Sequence, residues 1–278
     1  MDTRFWGPSG WRLLHIVTFT ASQLPSQHKL HIFFKNLPYV LPCKFCRASL
    51  SDYYAVDPIP EDNTEMPHWL YRIHNRVNGK LHEQKLLEAR NPKWNEIKRF
   101  YEDWLAAPCS RNKMIGWDFL FSVAYTTPCF HVKSSPMPDA PPIDSIRTPE
   151  LRNRWGIISA EERYPFIQEW WEALPHVLPF AEWRAVWSKY IPDMPNISKG
   201  RKPVTAWLYK AEKAICGDLQ EAAPHNSFNG LCSELSTFSS GCDKRSKRMK
   251  TCRSIKSHAR KSLKTRRTKK YKAVGGFL

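Results

Sequence analysis

The sequence predicts an all-α protein, on three observations. Apolar residues recur at the three- and four-residue spacing of a helix, as at Trp94, Ile97 and Tyr101. Prolines fall just before or just after such stretches, where helices begin or end. No segment combines the strict alternation of a half-buried strand with the turn residues of a hairpin.

The first 105 residues divide into five predicted helices. These span residues 11–24, 28–37, 43–54, about 63–81 and 93–105. Pro38 is expected to stop the second helix. Pro67 lies in the first turn of the fourth helix, behind a cap at Asn63 or Thr64. The β-branched run at residues 16–18 is also compatible with a strand in place of the first helix.

Composition divides the chain into three predicted domains, which are a compact unit at 1–105, a second helical block at 106–222 and a flexible basic tail at 223–278. The helices of the second block are predicted at 161–174, 181–190 and 205–219. Six prolines within residues 128–149 predict an irregular insertion in that block.

The tail carries most of the excess charge. The whole chain has a formal net charge of +17, but fifteen of its 43 Lys and Arg residues and none of its 26 Asp and Glu residues lie in residues 244–278. The rest of the chain is therefore close to neutral. Such a tail predicts non-specific, salt-sensitive contact with nucleic acid, a nuclear-import signal or attachment to acidic surfaces. A purely solubilising tail is the alternative.

Composition also excludes several functional classes. No window approaches the ~18 apolar residues of a membrane helix, which excludes a membrane-spanning protein. The first residues lack a charged segment followed by an apolar core, so a cytoplasmic protein without a signal peptide is expected. Eight cysteines are too few for a disulfide scaffold of 278 residues, and cysteine pairs are expected to serve chemistry.

The second block resembles a diverged copy of the first. Three pairs of segments match in order, namely 37–42 with 174–179, 69–71 with 207–209, and 11–14 with 117–120. Short matches also arise by chance, but their order favours duplication. The copy keeps the apolar residues and loses the candidate reactive ones, since Phe180 and Trp183 replace Cys43 and Cys46.

Cys43-Lys44-Phe45-Cys46 forms a CxxC motif at the start of the third predicted helix. Two thiols at this spacing can close a disulfide. The helix N-terminus and Lys44 both favour the thiolate, which is the reactive form. The motif alone is shared by redox sites, zinc sites and coincidence.

A polar triplet lies on the fourth predicted helix. His74, Asn75 and Asn78 are spaced three and four residues apart, which turns them to one side of the helix. Asparagine is a poor residue for a helix interior. Two asparagines beside a histidine therefore predict a hydrogen-bonding surface for a polar ring or a ribose. A solvated helix face is the alternative.

A structural zinc site is another use of these residues. Cys43, Cys46, His68 and His74 are spaced close to a Cys2His2 pattern. The separation of the two histidines does not put them on one helix face, which counts against a metal. In this alternative the chain is a non-enzymatic basic protein that is zinc-stabilised or binds nucleic acid.

Three motifs together resemble one family. WGPSGWRLLH at residues 6–15, CKFC at 43–46 and HNRVNGKL at 74–81 occur in this order. They are similar to the WGxxxWxxLH, CxxC and HNxVNxxL motifs of the Erv/ALR family of FAD-linked sulfhydryl oxidases. The match covers residues 4 to about 105, and the second block resembles the degenerate Erv-like domain of some larger members.

The resemblance implies a four-helix bundle with a short fifth helix, FAD as cofactor and no metal. The implied activity oxidises thiols of protein substrates with dioxygen and yields disulfides and hydrogen peroxide. Cys46 is implied to be the flavin-proximal thiolate, and Cys43 the outward sulfur that exchanges with the electron donor. The residues implied to line FAD are Trp6, Gly7, Trp11, His15, His74, Asn75, Val77, Asn78, Lys80 and Trp94.

The remaining cysteines depart from the family pattern. Relatives carry a further pair after the HNxVN motif, whereas no cysteine lies between Cys46 and Cys109. Either the domain has fewer crosslinks than its relatives, or Cys109 pairs elsewhere, for instance with Cys129. A mobile shuttle pair is expected from the tail, with unpaired thiols as the alternative; the candidates are Cys232, Cys242 and Cys252.

The missing pair and the fused second block resemble a large-DNA-virus version of the enzyme, acting in the host cytoplasm or the virion. The resemblance implies either a homodimer or, because the copy lies in the same chain, an intramolecular pseudo-dimer.

Overall fold

The computed structural model describes residues 1–128, 136–137, 139–191 and 193–239. The described residues form α-helices and short 3₁₀ turns and contain no strand, which confirms the predicted all-α fold. The helices are α1 Thr3–Phe19, α2 Gln27–Val40, α3 Lys44–Val56, α4 Met66–Glu83, α5 Trp94–Ala106, α6 Trp117–Tyr125, α7 Pro149–Arg154, α8 Ala160–Val177, α9 Ala181–Tyr190, α10 Arg201–Asp218 and α11 Phe228–Ser239.

Helix α1 begins well before the predicted start at Trp11. Asp2 caps its N-terminus, because the carboxylate accepts a hydrogen bond of 3.0 Å from the backbone N–H of Arg4. The helix then runs through the β-branched residues 16–18 without a break. The strand alternative for that run is therefore wrong.

Helix α2 continues past Pro38, where the sequence predicted its end. Pro38 lies in the last turn, and the helix ends at Val40. Helix α8 ends in the same way, with Pro175 in its last turn. A proline so close to a C-terminus displaces few hydrogen bonds, so the helix can include it.

Two short helices fall where the sequence predicted none. Helix α6 is buried along nearly its whole length, between α1 and α10, so it lacks the polar face that identifies an amphipathic helix. Helix α7 has six residues and begins with Pro149 behind a Thr148 cap, whose side chain accepts from Leu151 N–H. It follows the proline-rich insertion, of which residues 129–135 and 138 lie outside the described residues.

One hydrophobic core joins the two predicted blocks. Helix α2 packs along α8, and α1 packs against both α6 and α4. Fully buried rings from both sides of the predicted boundary at residue 105 meet in this core, for example Phe33 and Trp170 with ring centroids 5.0 Å apart. The two predicted domains therefore share their apolar interior.

The contacts between the blocks are reciprocal. A Cβ atom at Gly10 would lie 3.0 Å from the Phe119 ring, and a Cβ atom at Gly116 would lie 2.8 Å from Leu13. Gly116 is the counterpart of Gly10, and Phe119 is the counterpart of Leu13, because each pair is separated by 106 residues. In both contacts a glycine of one block therefore meets the same counterpart position of the other block. Reciprocity of this kind marks a twofold-related interface, and it supports the predicted duplication.

The structure differs from the predicted flexible tail over residues 228–239. This segment forms α11, which buries Leu231 and Leu235. The Phe238 ring stacks on Phe5 at 4.3 Å, and the Phe238 carbonyl accepts from the backbone N–H of Asp2. A tail beginning at residue 223 is therefore wrong for these twelve residues, whose apolar side chains cover the start of α1. Residues 240–278 lie outside the described part.

Among the described residues, none of the helices is both long and apolar enough to cross a membrane.

Candidate active site

Three helices bring a cluster of rings together. Trp11 and His15 lie one turn apart on α1, His74 lies on α4 and Tyr101 on α5. The Trp11 and His74 rings stack with centroids 3.8 Å apart and planes within 11°. His15 stacks on Tyr101 at 4.9 Å. The first and third sequence motifs therefore meet, as the resemblance implied.

The two histidines of the cluster face each other. His15 Nε2 lies 3.1 Å from His74 Nδ1, so one ring donates a hydrogen bond and the other accepts it. Both side chains are essentially inaccessible to solvent. Burial lowers the pKa of His15 to about 3. Burial, together with the nearby His15, also holds the pKa of His74 well below its usual value. Both rings are therefore neutral at physiological pH.

The polar side chains of α4 reach neighbouring segments. Asn78 is buried and donates to the side-chain oxygen of Asn91, at 3.0 Å. Lys80 Nζ lies 2.7 Å from Ser49 Oγ on α3. Asn75 is half-buried, but its Oδ1 atom is inaccessible and has no hydrogen-bond partner in the described part of the chain.

The CxxC motif begins helix α3. Cys43 is the N-cap and Cys46 lies in the first turn, where the helix dipole stabilises a thiolate. The Lys80–Ser49 contact ties this helix to α4, which carries His74. The CxxC helix and the helix that carries His74 are therefore directly linked.

The exposure of the two thiols differs from the expectation. The resemblance implied an outward Cys43, but this residue is only 2% exposed, whereas Cys46 is half-buried. The amino group of Met1 lies 3.5 Å from the carbonyl oxygen of Pro42, the residue before Cys43. The structure thus covers the sulfur that was expected to meet the electron donor.

Comparison with known proteins identifies this unit. Residues 8–101 match the model of the Erv1 / Alr family. This segment is similar to the Erv1/Alr family. Its similarity extends to the mitochondrial FAD-linked sulfhydryl oxidase ERV1 of Saccharomyces cerevisiae, at 28% identity over 88 residues, which cover 30% of this chain and 47% of the yeast protein. The chain thus matches about half the length of this curated relative. No solved structure matches the chain.

The other residues implied to line FAD are spread more widely, and Trp6 and Gly7 lie just before the segment that matches the family model. Trp94 lies near the cluster, with its ring 5.9 Å from Phe19 and 4.8 Å from His68. Trp6 is buried and packs on Phe119 of α6, outside the cluster. Gly7 and Val77 are half-buried on α1 and α4.

Several residues of the site were not predicted. The sequence did indicate that Tyr101 would be buried, because it lies on the apolar stripe of α5. The structure adds that its buried hydroxyl has no hydrogen-bond partner within the described residues. Nothing in the sequence indicated Asn91 or Ser49, since each is a polar residue whose part depends on a contact from another helix.

The geometry does not favour the zinc alternative. His74 pairs with His15, whereas His68 lies beside Tyr71 and Trp94. The two histidines of the proposed Cys2His2 set therefore have different surroundings. No group of three or more His, Cys, Asp or Glu side chains within the described residues is arranged to hold a metal ion.

Proposed function

We propose that residues 1–105 bind FAD and catalyse the oxidation of protein thiols to disulfides, with dioxygen as the electron acceptor and hydrogen peroxide as product. The observation that carries the proposal is the buried aromatic cluster in which the first and third motifs meet, on a helix, α4, that is hydrogen-bonded to the CxxC helix α3 through Lys80 and Ser49. The similarity to the Erv1/Alr family and to a yeast FAD-linked sulfhydryl oxidase supports it.

The residues present fit a flavin cofactor. The buried oxygens Asn75 Oδ1 and Tyr101 Oη have no hydrogen-bond partner within the described residues, and buried polar atoms normally have one. Trp11 and Trp94 are half-buried, so each keeps part of its ring surface accessible for stacking. Lys80 lies in the second half of α4, as Asn75 does, and supplies a positive charge there. FAD, when bound, accepts an electron pair from thiols and transfers it to dioxygen.

The thiol exchange itself is done by the chain. A substrate thiolate attacks one sulfur of the Cys43–Cys46 disulfide, which forms a mixed disulfide and releases the other sulfur as a thiolate. A second substrate thiolate then attacks the mixed disulfide, so the substrate leaves oxidised and the CxxC pair stays reduced. The start of α3 stabilises the released thiolate, as does the Lys44 charge beside it.

We assign the mixed disulfide to Cys43 and the released, flavin-proximal thiolate to Cys46. Because Cys43 is only 2% exposed, attack at its sulfur requires a rearrangement that exposes it. The buried neutral pair His15–His74 positions the rings of the cluster and carries no charge that would repel or attract the thiolate.

The roles of the thiols are tested by oxygen consumption with dithiothreitol as substrate. Cys46→Ser is expected to abolish turnover of the FAD-loaded chain, because the thiolate next to the flavin is gone. Cys109→Ser, at an exposed cysteine outside the CxxC motif, is the matched control and should keep full activity. An active Cys46→Ser variant would refute the assignment.

Partners and compartment are proposed from the sequence. We infer that the substrates are protein thiols and dioxygen, and that the two blocks form an intramolecular pseudo-dimer in place of a homodimer. We also infer that the protein acts in the cytoplasm, as a viral enzyme in its host would, whereas the yeast relative is by name mitochondrial. The reciprocal contacts of α1 with α6 support the pseudo-dimer. Two predictions concern residues outside the described part of the chain. They are the contact of residues 244–278 with nucleic acid and the pairing of Cys129, Cys242 or Cys252.

A further inference from the structure

A groove of about 560 Å³ opens on the second block, between α8 and α9. Its floor and walls include the indole rings of Trp171, Trp187 and Trp207. Its lining also includes Pro175 and five polar or charged residues, namely Glu172, His176, Arg184, Ser188 and Asp193. Neither thiol of the CxxC motif lines it.

The groove has a structural equivalent on the first block. Arg184 Nη1 donates to the Leu178 carbonyl at 2.6 Å, and Arg47 Nη1 donates to the Leu41 carbonyl at 3.0 Å. Each arginine thus reaches back to the carbonyl six residues earlier, and the two pairs are separated by one common offset along the chain.

The ring packing beneath the two places is also equivalent. Trp171 and Trp207 meet edge to face, with centroids 5.4 Å apart and planes at 89°. Their counterparts Phe34 and Trp69 meet at 5.6 Å and 86°. The region between α2 and α3 is therefore the first block's version of the groove.

On the first block this region is filled by α7. Asn153 is buried, and its side-chain amide donates to the Pro38 carbonyl at 3.0 Å and to Ser51 Oγ at 3.2 Å. Arg154 forms an ion pair with Asp52 at 2.5 Å. One buried carboxamide thus bridges α2 and α3 there.

On the second block the two acceptors line open space. Pro175 and Ser188 are the counterparts of Pro38 and Ser51, and both face the groove. The buried indole N–H of Trp171, another lining residue, has no hydrogen-bond partner among the described residues. That N–H is itself inaccessible to solvent, so the capacity of the groove for hydrogen bonds rests on the Pro175 carbonyl and the Ser188 hydroxyl.

We propose that this groove binds a short helical segment of a partner protein, whose asparagine side chain takes the place of Asn153. The partner's carboxamide would donate to the Pro175 carbonyl and the Ser188 hydroxyl, as Asn153 does on the first block. The proposal rests on the equivalence of the two grooves and is independent of the thiol chemistry.

Charge determines which segment fits. On the first block Tyr39 hydrogen-bonds Glu150, and Asp52 pairs with Arg154. The counterparts of Tyr39 and Asp52 are His176 and Lys189. Lys189 lies 3.7 Å from Asp218, and the lining of the groove also includes Glu172 and Asp193. By analogy with α7, the matching partner has a carboxylate three residues before the asparagine, to meet His176, and another directly after it, to compete with Asp218 for Lys189.

Segments of this chain match less well. Residues 149–154 already fill the first groove. Residues 244–278 contain fifteen basic residues, no acid and no asparagine, so they offer neither the carboxamide nor the acidic flanks.

The test uses the full chain with ¹⁵N-labelled tryptophan and unlabelled synthetic peptides. The probe is an end-capped peptide with the sequence of residues 148–154 carrying Arg154→Glu, and its partner peptide also carries Asn153→Ala. The first peptide is expected to shift indole signals of the groove saturably, and loss of the carboxamide should weaken binding about five-fold.

Chain variants assign the effect to the groove. Ser188→Ala should weaken binding of the first peptide by a similar few-fold factor, about five-fold. Ser51→Ala, the equivalent change in the filled groove, should leave the affinity unchanged. Absence of saturable shifts, equal affinity of the two peptides, or indifference to Ser188→Ala would each overturn the proposal.

Two further outcomes would identify another occupant and also overturn it. A peptide of residues 244–278 that displaced the probe would indicate the tail. Indole shifts that grow with chain concentration without peptide would indicate a second copy.

Discussion

His15 and His74 illustrate how burial sets the chemistry of single residues. In water each ring would be partly protonated near neutral pH, with a pKa of about 6.5. Packed against each other, Trp11 and Tyr101, they stay neutral because no water solvates a charge. A neutral pair offers one donor and one acceptor at fixed positions, which is suited to holding a polar ring.

This pair makes stability depend on pH. The folded pKa of both histidines lies below the unfolded value, so the unfolded chain binds more protons in acid. Their contribution is present above the unfolded pKa and is lost as pH falls below it, by about 1.4 kcal/mol per pH unit and histidine. His225 acts in the opposite sense. Burial lowers its pKa, but the carboxylates around it, first Glu212, raise it overall, so its contribution is lost as pH rises.

Replacing single histidines tests the contribution of the buried His15–His74 pair to this pH dependence. Urea unfolding of the full chain at pH 7 and pH 5.5 should show a smaller acid loss of stability for His74→Gln than for the wild type. His31→Gln, at an exposed position of α2, should leave the acid loss unchanged. Equal losses in all three proteins would contradict the neutral buried pair.

At the scale of elements, amphipathic helices were predictable and fully buried or tertiary-dependent ones were not. Helices α2 to α5 and α8 to α10 lie close to their predicted ranges, because each has one apolar face and a proline or cap at its start. Helix α6 is buried on all sides, and α11 is held by contacts to α1 from the far end of the chain. Local pattern contains neither kind of information.

The candidate site divides in the same way. Trp11, His15 and His74 were identified because they belong to motifs with fixed spacing. The burial of Cys43 was not, because it depends on how the chain packs around it. Motif spacing indicates candidate residues, whereas access to them is a property of the assembled fold.

The packing of α1 on α6 depends on two glycines. Gly116 has φ +99°, and a Cβ there would approach a Leu13 methyl to 2.8 Å. Gly116→Ala should therefore lower the free energy of unfolding by about 1–3 kcal/mol. Gly217→Ala is the matched control on helix α10, where nothing lies within 4 Å of the added carbon, and should be neutral or slightly stabilising. Thermal unfolding of both variants gives the comparison, and an unaffected Gly116→Ala would contradict the close packing.

Helix α11 sets where the chain can be shortened. Deletion of residues 240–278 should leave the melting temperature and the oxidation of dithiothreitol unchanged, while impairing protein substrates if Cys242 and Cys252 shuttle electrons. Deletion from residue 228 removes α11 and its contacts to Phe5 and Asp2, and should lower the melting temperature. Equal melting temperatures would contradict the packing of α11, and undiminished oxidation of protein substrates by the shorter deletion would discard the shuttle.

At the scale of the whole molecule, the two blocks share packing features but differ in their candidate reactive residues. The second block keeps the ring packing and the arginine contacts of the first, but has Phe180 and Trp183 in place of the thiols and Glu212 in place of His74. Because α2 lies along α8 and α1 along α6, the copy covers helix faces of the first block. The first block contains the candidate redox site, and the second block packs against it and has a groove of its own.

The central claim is that the first block is a flavin-linked thiol oxidase. The most direct measurement is the visible absorption spectrum of the purified full chain, before and after dithiothreitol is added in air. The account predicts a flavin band near ~450 nm that bleaches and then recovers as oxygen is consumed. A chain that stays colourless after incubation with FAD, or a flavin band that dithiothreitol does not bleach, would contradict it.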